Sequence, residues 1–320
     1  MIEKDMTFDE KLKFLREQIY HTLAPLISKK CILLDLPYYT NIGDILIWEG
    51  TEHFLKLIGC KCLYRTSVDN YRYNEIPTDV TVLLQGGGNF GDIWRRHQDF
   101  RLKIIEDYPN NSIIILPQTI YYENEEIMKR DAELMKKHRN LTICVRDTKS
   151  YQLLKKYFSN NSLFLLPDMA FFMSRKMIIK FRKIEKDRIL FLKRTDKEIK
   201  VADTVCPPGN VDIRDWPSIG KTSLIVSAYY KFDYLNKYFN HHLDSIIDFY
   251  AQYILKIHLV KIGVSFVSSY RYIYTTRLHV AILSTLLCKP YVFIDNSYGK
   301  NRTFYDTWLS DLSDVKFEEK

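Results

Sequence analysis

The chain has 320 residues, 46% of them hydrophobic and 27% charged, enough to bury the cores of two domains of about 150 residues each and too apolar for a disordered chain. Lys and Arg exceed Asp and Glu by eight, no apolar run approaches the roughly 18 residues of a membrane span, and the opening Met1–Met6 is polar. A cytoplasmic protein without signal peptide or spanning helix is therefore expected.

Residues 6–28 carry Phe8, Leu12, Leu15, Ile19 and Leu23 at helical spacing. Apolar runs then alternate with helical patterns: strand 31–35, helix 45–58, strands 61–65 and 80–85, helix 92–106, strand 112–116, helix 125–137, strand 141–145, helix 148–158 and strand 162–166. This alternation predicts a parallel sheet covered on both faces. The basic stretch 175–186 interrupts the rhythm and reads as a linker. A second series follows, with strand 188–192, a long helix within 231–260, strand 270–274, helix 277–287, strand 290–294 and a polar C-terminal helix. The fold class expected is α/β, with two Rossmann-like domains facing a cleft, each with a mostly parallel sheet. They occupy residues 1–175 and 188–320, joined by the basic linker 176–187.

The net charge is concentrated, because residues 176–200 hold ten Lys/Arg against four Asp/Glu. That stretch reads either as a solvated flank or as an attraction to an anionic partner, such as an inner-membrane surface or a pyrophosphate-bearing substrate. No nucleic-acid motif accompanies it. The six cysteines, at 31, 60, 62, 144, 206 and 288, contain no Cys-x-x-Cys pair, and the eight histidines form no spaced cluster. Free thiols and no metal are expected.

Four polar segments stand at the ends of apolar runs, where open α/β sheets bind ligands. Gln85-Gly86-Gly87-Gly88-Asn89-Phe90-Gly91-Asp92 follows a strand and precedes a helix, the setting of a glycine nest whose backbone N–H groups meet an anion. It satisfies a G-x-G-x-x-G spacing, yet the acidic pair Glu106-Asp107 precedes the next strand instead of ending it, and no Gly-Lys-Ser/Thr follows. A nicotinamide or flavin cofactor and a Walker-type site are therefore set aside. Asn41-Ile42-Gly43-Asp44 opens a helix, and reads either as a cap or as a second N–H cluster with Asp44 beside a sugar hydroxyl. Arg277-Leu278-His279 sets a fixed cation beside a titratable group at a helix start. Arg146 and Asp168 stand at further strand ends, as caps, ion pairs or site residues, and Asp295–Lys300 ends in Tyr298-Gly299-Lys300, a turn or another phosphate-reaching cation.

Taken in order, Asn41-x-Gly43-Asp44, Gly86-Gly87-Gly88, Arg146, Pro167-Asp168-x-Ala170, Arg277-Leu278-His279 and Tyr298-Gly299-Lys300 resemble the polysaccharide pyruvyl transferase family, over roughly residues 31–305. The resemblance implies a GT-B-like fold. It implies transfer of the enolpyruvyl unit of phosphoenolpyruvate onto two sugar hydroxyls as a cyclic ketal, in exopolysaccharide or capsule biosynthesis. By it, Arg277 and His279 take the family's Arg-Leu-His donor site and Arg146 its other anion-binding arginine. Lys193–Glu198 looks like an Arg-x-Asp-x-Glu element, although its basic surroundings assign Asp196 and Glu198 no catalytic role. His279 is then the acid and Asp44 or Asp168 the base. Asn41, Gly43, Gly86, Gly87, Gly88, Asn89, Arg146, Tyr298 and Lys300 bind substrate. No cofactor or metal is required, and the partner is a sugar acceptor that is nucleotide-linked, lipid-linked or polymeric. A nucleotide-sugar-dependent glycosyltransferase on the same architecture is the alternative reading.

Overall fold

The computed structural model describes residues 6–72, 75–193, 207, 209–217, 223–295 and 299–318. Helix α1 (Phe8–Leu23) begins at a reciprocal cap in which Thr7 and Glu10 each accept the other's backbone N–H, and its five predicted apolar positions form one buried stripe. The first sheet is built from β1 (Lys30–Leu34), β2 (Lys61–Arg65), β3 (Thr81–Leu84), β4 (Gly87–Gly91), β5 (Ile113–Tyr121), β6 (Leu141–Val145) and β7 (Ser162–Leu165). Its helices are α2 (Ile42–Leu57), α3 (Arg95–Asp107), α4 (Glu125–Met135) and α5 (Thr148–Tyr157). The strands run in the order β2-β1-β3-β5-β6-β7, parallel throughout, with β4 added beside β5. β3 and β6 are buried along their whole length, as expected of parallel strands covered on both faces.

A short 3₁₀ turn, Met169–Phe172, and α6 (Arg175–Phe181) lead to the second half. There β8 (Lys186–Leu192), β9 (Val211–Arg214), β10 (Tyr270–Thr275), β11 (Tyr291–Ile294) and β12 (Val315–Glu318) form a parallel sheet ordered β12-β11-β10-β8-β9. Its helices are α7 (Leu224–Tyr238), α8 (Asp244–Tyr250), α9 (Lys256–Ser268), α10 (Leu278–Leu286) and α11 (Lys300–Trp308), with a π-helical turn, Ala251–Leu255, between α8 and α9. The α/β class with two parallel sheets is as the sequence indicates.

Two expectations are corrected and three elements are added. The glycine-rich segment does not open a helix: Gly87–Gly91 is strand β4, which continues past β3 along β5, and α3 starts at Arg95. Gly91 has φ +138° and a Cβ there would overlap the Tyr121 carbonyl, so glycine serves close strand approach. The stretch read as a linker forms α6, which buries Ile178 and Phe181 and packs on α9. The single long helix within 231–260 is divided among α7, α8, the π turn and α9. The short strands β9 and β12 were not foreseen.

One apolar core joins the halves. It contains Leu15, Ile45, Leu46 and Trp48 from α1 and α2 together with Leu190, Val264, Ile282 and Phe293 from the second sheet and its helices. Helix α2 packs on the 3₁₀ turn, α9 and α10. Close approach is secured by Gly50, where a Cβ would overlap the Met169 carbonyl oxygen, and by Gly263, where a Cβ would lie 2.7 Å from Ile42 Cγ2. Gly50→Ala should therefore destabilise the fold by about 2 kcal/mol despite alanine's better helix propensity, measured as a lower midpoint in urea unfolding.

Candidate active site

The site lies at the carboxyl ends of the first sheet's strands, where α2, β4, β6 and the 3₁₀ turn meet the start of α10. Asn41 caps α2, its Oδ1 accepting from Gly43 N at 2.9 Å and Asp44 N at 3.4 Å. Of the two readings of this motif, capping accounts for Asn41. Asp44, half-buried one turn into α2, accepts from Tyr39 Oη at 3.0 Å, and a Cβ at Gly87 would lie 3.7 Å from its Oδ1. Burial raises the Asp44 pKa above its ordinary 3.8, while His279, Tyr39, Arg146 and His97 pull it partly back.

Arg146 leaves β6 as a buried guanidinium. Its Nε donates to Thr119 Oγ1 at 2.9 Å and its Nη1 to Asp168 Oδ2 at 2.5 Å, while its carbonyl accepts from Trp308 Nε1 of α11 at 2.8 Å. Asp168 is buried too, and its Oδ1 caps the 3₁₀ turn by accepting from Ala170 N at 2.8 Å. Burial pushes the Asp168 carboxyl up, but Arg146, His279 and the Ala170 N–H together outweigh it and bring the pKa to about 2. The exposed backbone of Gly88 passes over the guanidinium, a Cβ there standing 3.4 Å from Arg146 Nη2.

His279 reaches this group from the second half. Its Nε2 is 3.5 Å from Arg146 Nη1 and 3.7 Å from Asp168 Oδ2, and a Cβ on Gly43 would overlap its ring at Nδ1. Arg277 is held by a carboxylate of its own half. It is the N-cap of α10 with extended φ −105° and ψ 122°, so it diverges from His279 in the first turn. Its Nε and Nη2 donate to the two Asp215 oxygens, each at 2.6 Å. The fixed cation beside His279 is thus Arg146, and the Arg277 fork holds Asp215 beyond the end of β9.

Gly43, Asp44, Gly87, Gly88, Arg146, Asp168 and His279 are brought together, whereas Asn89 and Gly86 support them. Asn89 Oδ1 accepts from Arg101 Nη2 at 2.8 Å and Gln118 Nε2 at 3.0 Å, and its Nδ2 donates to Asp35 Oδ2 at 3.4 Å. A Cβ at Gly86 would lie 2.8 Å from the Pro117 carbonyl, a matter of strand spacing. Lys300, following Gly299 at φ +69°, sets its Nζ 5.1 Å from the Tyr121 ring centre at the end of β5. Tyr298, Asp196 and Glu198 lie outside the described residues.

Sequence reasoning missed Asp35, Tyr39, His97, Arg101, Thr119 and Asp215. Asp35 sits just past β1 at φ +64°, and its Oδ1 is bonded to His97 Nδ1 at 2.6 Å while Oδ2 meets Arg101 Nη2 at 3.4 Å. An acidic residue directly after an apolar strand was a usable signal for it. Among the described residues no group of three or more His, Cys, Asp or Glu is arranged to hold a metal ion, and no helix is long and apolar enough to cross a membrane. A groove of about 780 Å³, lined by Leu12, Tyr20, Phe172 and Ile178 among others, lies apart from the site residues.

The chain is matched by a family description, polysaccharide pyruvyl transferase, over residues 41–298. The chain belongs to the polysaccharide pyruvyl transferase family. It is 36% identical over 294 residues to EpsO of Bacillus subtilis, which is named provisionally as a pyruvyl transferase, covering 90% of this chain and 88% of that one. Pyruvyl transferase 1 of Schizosaccharomyces pombe is 29% identical over 305 residues, 88% of this chain and 70% of the relative. A solved structure of a functionally uncharacterised Klebsiella pneumoniae protein superposes with a TM-score of 0.64 at 20% identity, covering 95% of this chain and 98% of that one, which establishes a shared fold.

The lowered pKa of Asp168 gives a stability signature. Its contribution is present above the ordinary value of 3.8 and is lost as pH falls toward about 2. Asp168→Asn should flatten the unfolding free energy across that window. At neutral pH it should cost roughly 3–5 kcal/mol, because Arg146 is left buried without its carboxylate. Urea titrations at stepped pH measure both.

Proposed function

We propose that the chain transfers the enolpyruvyl unit of phosphoenolpyruvate onto two hydroxyls of one sugar, closing a pyruvate ketal on a saccharide destined for exopolysaccharide or capsule. The observation that carries this reading is His279, contributed by one half of a family member, standing over Gly43 against Arg146 and Asp168 of the other half. Phosphoenolpyruvate is a small, dense anion. The buried Arg146 guanidinium lies under the exposed backbone of Gly88, and Lys300 supplies a second cation beside the end of β5.

In this mechanism His279 delivers a proton to the C3 methylene, which makes C2 electrophilic. One sugar hydroxyl adds to C2, phosphate departs toward the cations, and the second hydroxyl closes the ketal. Asp44 takes the proton of the first hydroxyl, and the proton of the second goes to the departing phosphate. The opposed pKa shifts of the two carboxylates support this division, with Asp168 held ionised as a partner for the imidazole and Asp44 raised above its ordinary value by burial. The protein's own cations balance the leaving phosphate, and no cofactor is invoked. The acceptor is a sugar on a nucleotide, lipid or polymer carrier.

The test is phosphate release from phosphoenolpyruvate in the presence of galactose-, mannose- and glucosamine-containing acceptors, with mass spectrometry of the products. The expected product gains a pyruvate ketal, and His279→Asn lowers kcat by about 10²- to 10⁴-fold. Consumption of a nucleotide sugar with phosphoenolpyruvate inert would overturn the reading in favour of glycosyl transfer.

If Asp44 acts as the base, kcat/KM falls as pH drops through its raised pKa. Tyr39→Phe removes the hydrogen bond that favours the ionised carboxylate, so the acidic limb of the profile should move to higher pH. An unmoved limb would assign the titration to another group.

A further inference from the structure

Helix α6 and the link to β8 carry an excess of positive charge on the outside. Between Arg175 and Lys186 the chain holds six Lys or Arg against one acid, Glu185, and Glu185 is taken by Lys289 at 2.5 Å. Arg175, Lys176, Lys180, Arg182, Lys183 and Lys186 are all exposed, and among the described residues none of them is paired with a carboxylate. Two isoleucines stand in water among these cations, Ile179 with 63% and Ile184 with 93% of its surface exposed.

That exposure is built into the fold. Helix α6 buries Ile178 and Phe181, so Ile179 falls on its outer side. Beyond α6 the backbone is pinned on both sides of Ile184. The Phe181 carbonyl accepts from Ser265 Oγ at 2.8 Å, Lys183 N donates to Ser268 Oγ at 2.9 Å, and Lys186 N donates to the Ser269 carbonyl at 2.9 Å. The link is thus held against the end of α9 with Ile184 outward. Arg175 and Arg182, at the two ends of α6, also line the groove of about 780 Å³, together with Ile179, Leu12 of α1 and Leu286 and Leu287 of α10. The acids of that groove, Asp9 and Glu17, belong to α1. The groove reaches His53 and Leu57 near the end of α2, whereas Gly43, Asp44 and His279 stand in the first turns of α2 and α10. A partner seated on α6 therefore meets the far ends of these helices from the active site.

The mixture of side chains selects among anionic partners. The centres of protein interfaces are depleted in lysine. Single-stranded nucleic acid uses exposed aromatic rings between the cations, and Phe181, the one aromatic residue of the stretch, is buried. Separate aliphatic side chains set among lysines suit a bilayer with acidic headgroups, where cations meet phosphates and the aliphatic groups enter the acyl boundary. We propose that α6 and the link after it dock this protein on an anionic bilayer, with Ile179 and Ile184 inserted and the surrounding Lys and Arg on the headgroups.

The test is co-sedimentation of the full-length chain, at low salt, with vesicles of phosphatidylcholine alone or mixed in equal parts with phosphatidylglycerol. The chain is expected to partition onto the mixed vesicles and not onto the neutral ones. Lys176→Glu, Lys180→Glu and Lys183→Glu together should weaken that partitioning by at least about 100-fold. Ile179→Ser with Ile184→Ser, at unchanged charge, should weaken it by roughly 10-fold. Both variants alter exposed side chains, and unchanged urea midpoints verify that each is folded. Equal binding to the two kinds of vesicle would overturn the proposal, as would partitioning that either variant leaves unmoved. Binding lost in Tyr234→Ser with Tyr238→Ser, two exposed residues of α7, but kept in the α6 variants would move the contact to α7 and overturn it as well. A chain that ignores the mixed vesicles also overturns it, and retention on immobilised polyglutamate would then reassign the cations to an acidic polypeptide.

Discussion

The pairing of a buried guanidinium with a buried carboxylate governs the active end of this molecule. Arg146 and Asp168 lie 2.5 Å apart at their nearest atoms with almost no solvent at either. In such surroundings neither charge is tolerable alone, so each fixes the other. Thr119 and Trp308 hold Arg146 from β5 and α11, and Ala170 holds Asp168 from the 3₁₀ turn. Once the guanidinium is immobile its surroundings follow. The strand above it has to be bare, hence Gly88, and the imidazole that approaches it has to find room at the first turn of α2, hence Gly43.

The same pair separates two carboxylates that composition alone makes alike. Asp168 has a full guanidinium partner and a backbone donor, whereas Asp44 has a phenol and more distant cations. Environment therefore shifts their pKa values in opposite directions, Asp168 down and Asp44 up. Behind them a second polar layer, Asp35 with His97, Arg101 and Asn89, stiffens β4, and through β4 the strip of backbone that faces Arg146.

Much of this was legible in the chain. Continuous apolar runs such as Thr81–Leu84 and Leu141–Val145 announced buried parallel strands, because burial on both faces leaves no polar alternation to misread. The polar residues at the strand ends were found for the same reason. Gly86–Gly91 was misread because glycine answers two needs, a nest and a close strand, and the decisive contact with Tyr121 lies 30 residues away. Tyr39 is named by no motif, and the partners of Asp35 and Asp215 come from elements 62 residues distant, His97 and Arg277, so no local spacing announces them. Helix α6 was hidden by Arg175, Lys176 and Lys180, which surround the two residues it buries.

Helix α2 belongs to both halves. Its residues share one core with α9, α10 and the second sheet, and the chain's start is also tied across, Met6 bridging to Leu312 and Lys11 pairing with Asp311. A wide clamshell opening between the sheets would expose that core to water. The first sheet keeps a second cluster of its own on its other face, Ile32, Val82, Phe90, Ile113 and Ile143 among them, whereas the second half leans on the shared core, so a cut between the halves would leave the second fragment with its main apolar face in water.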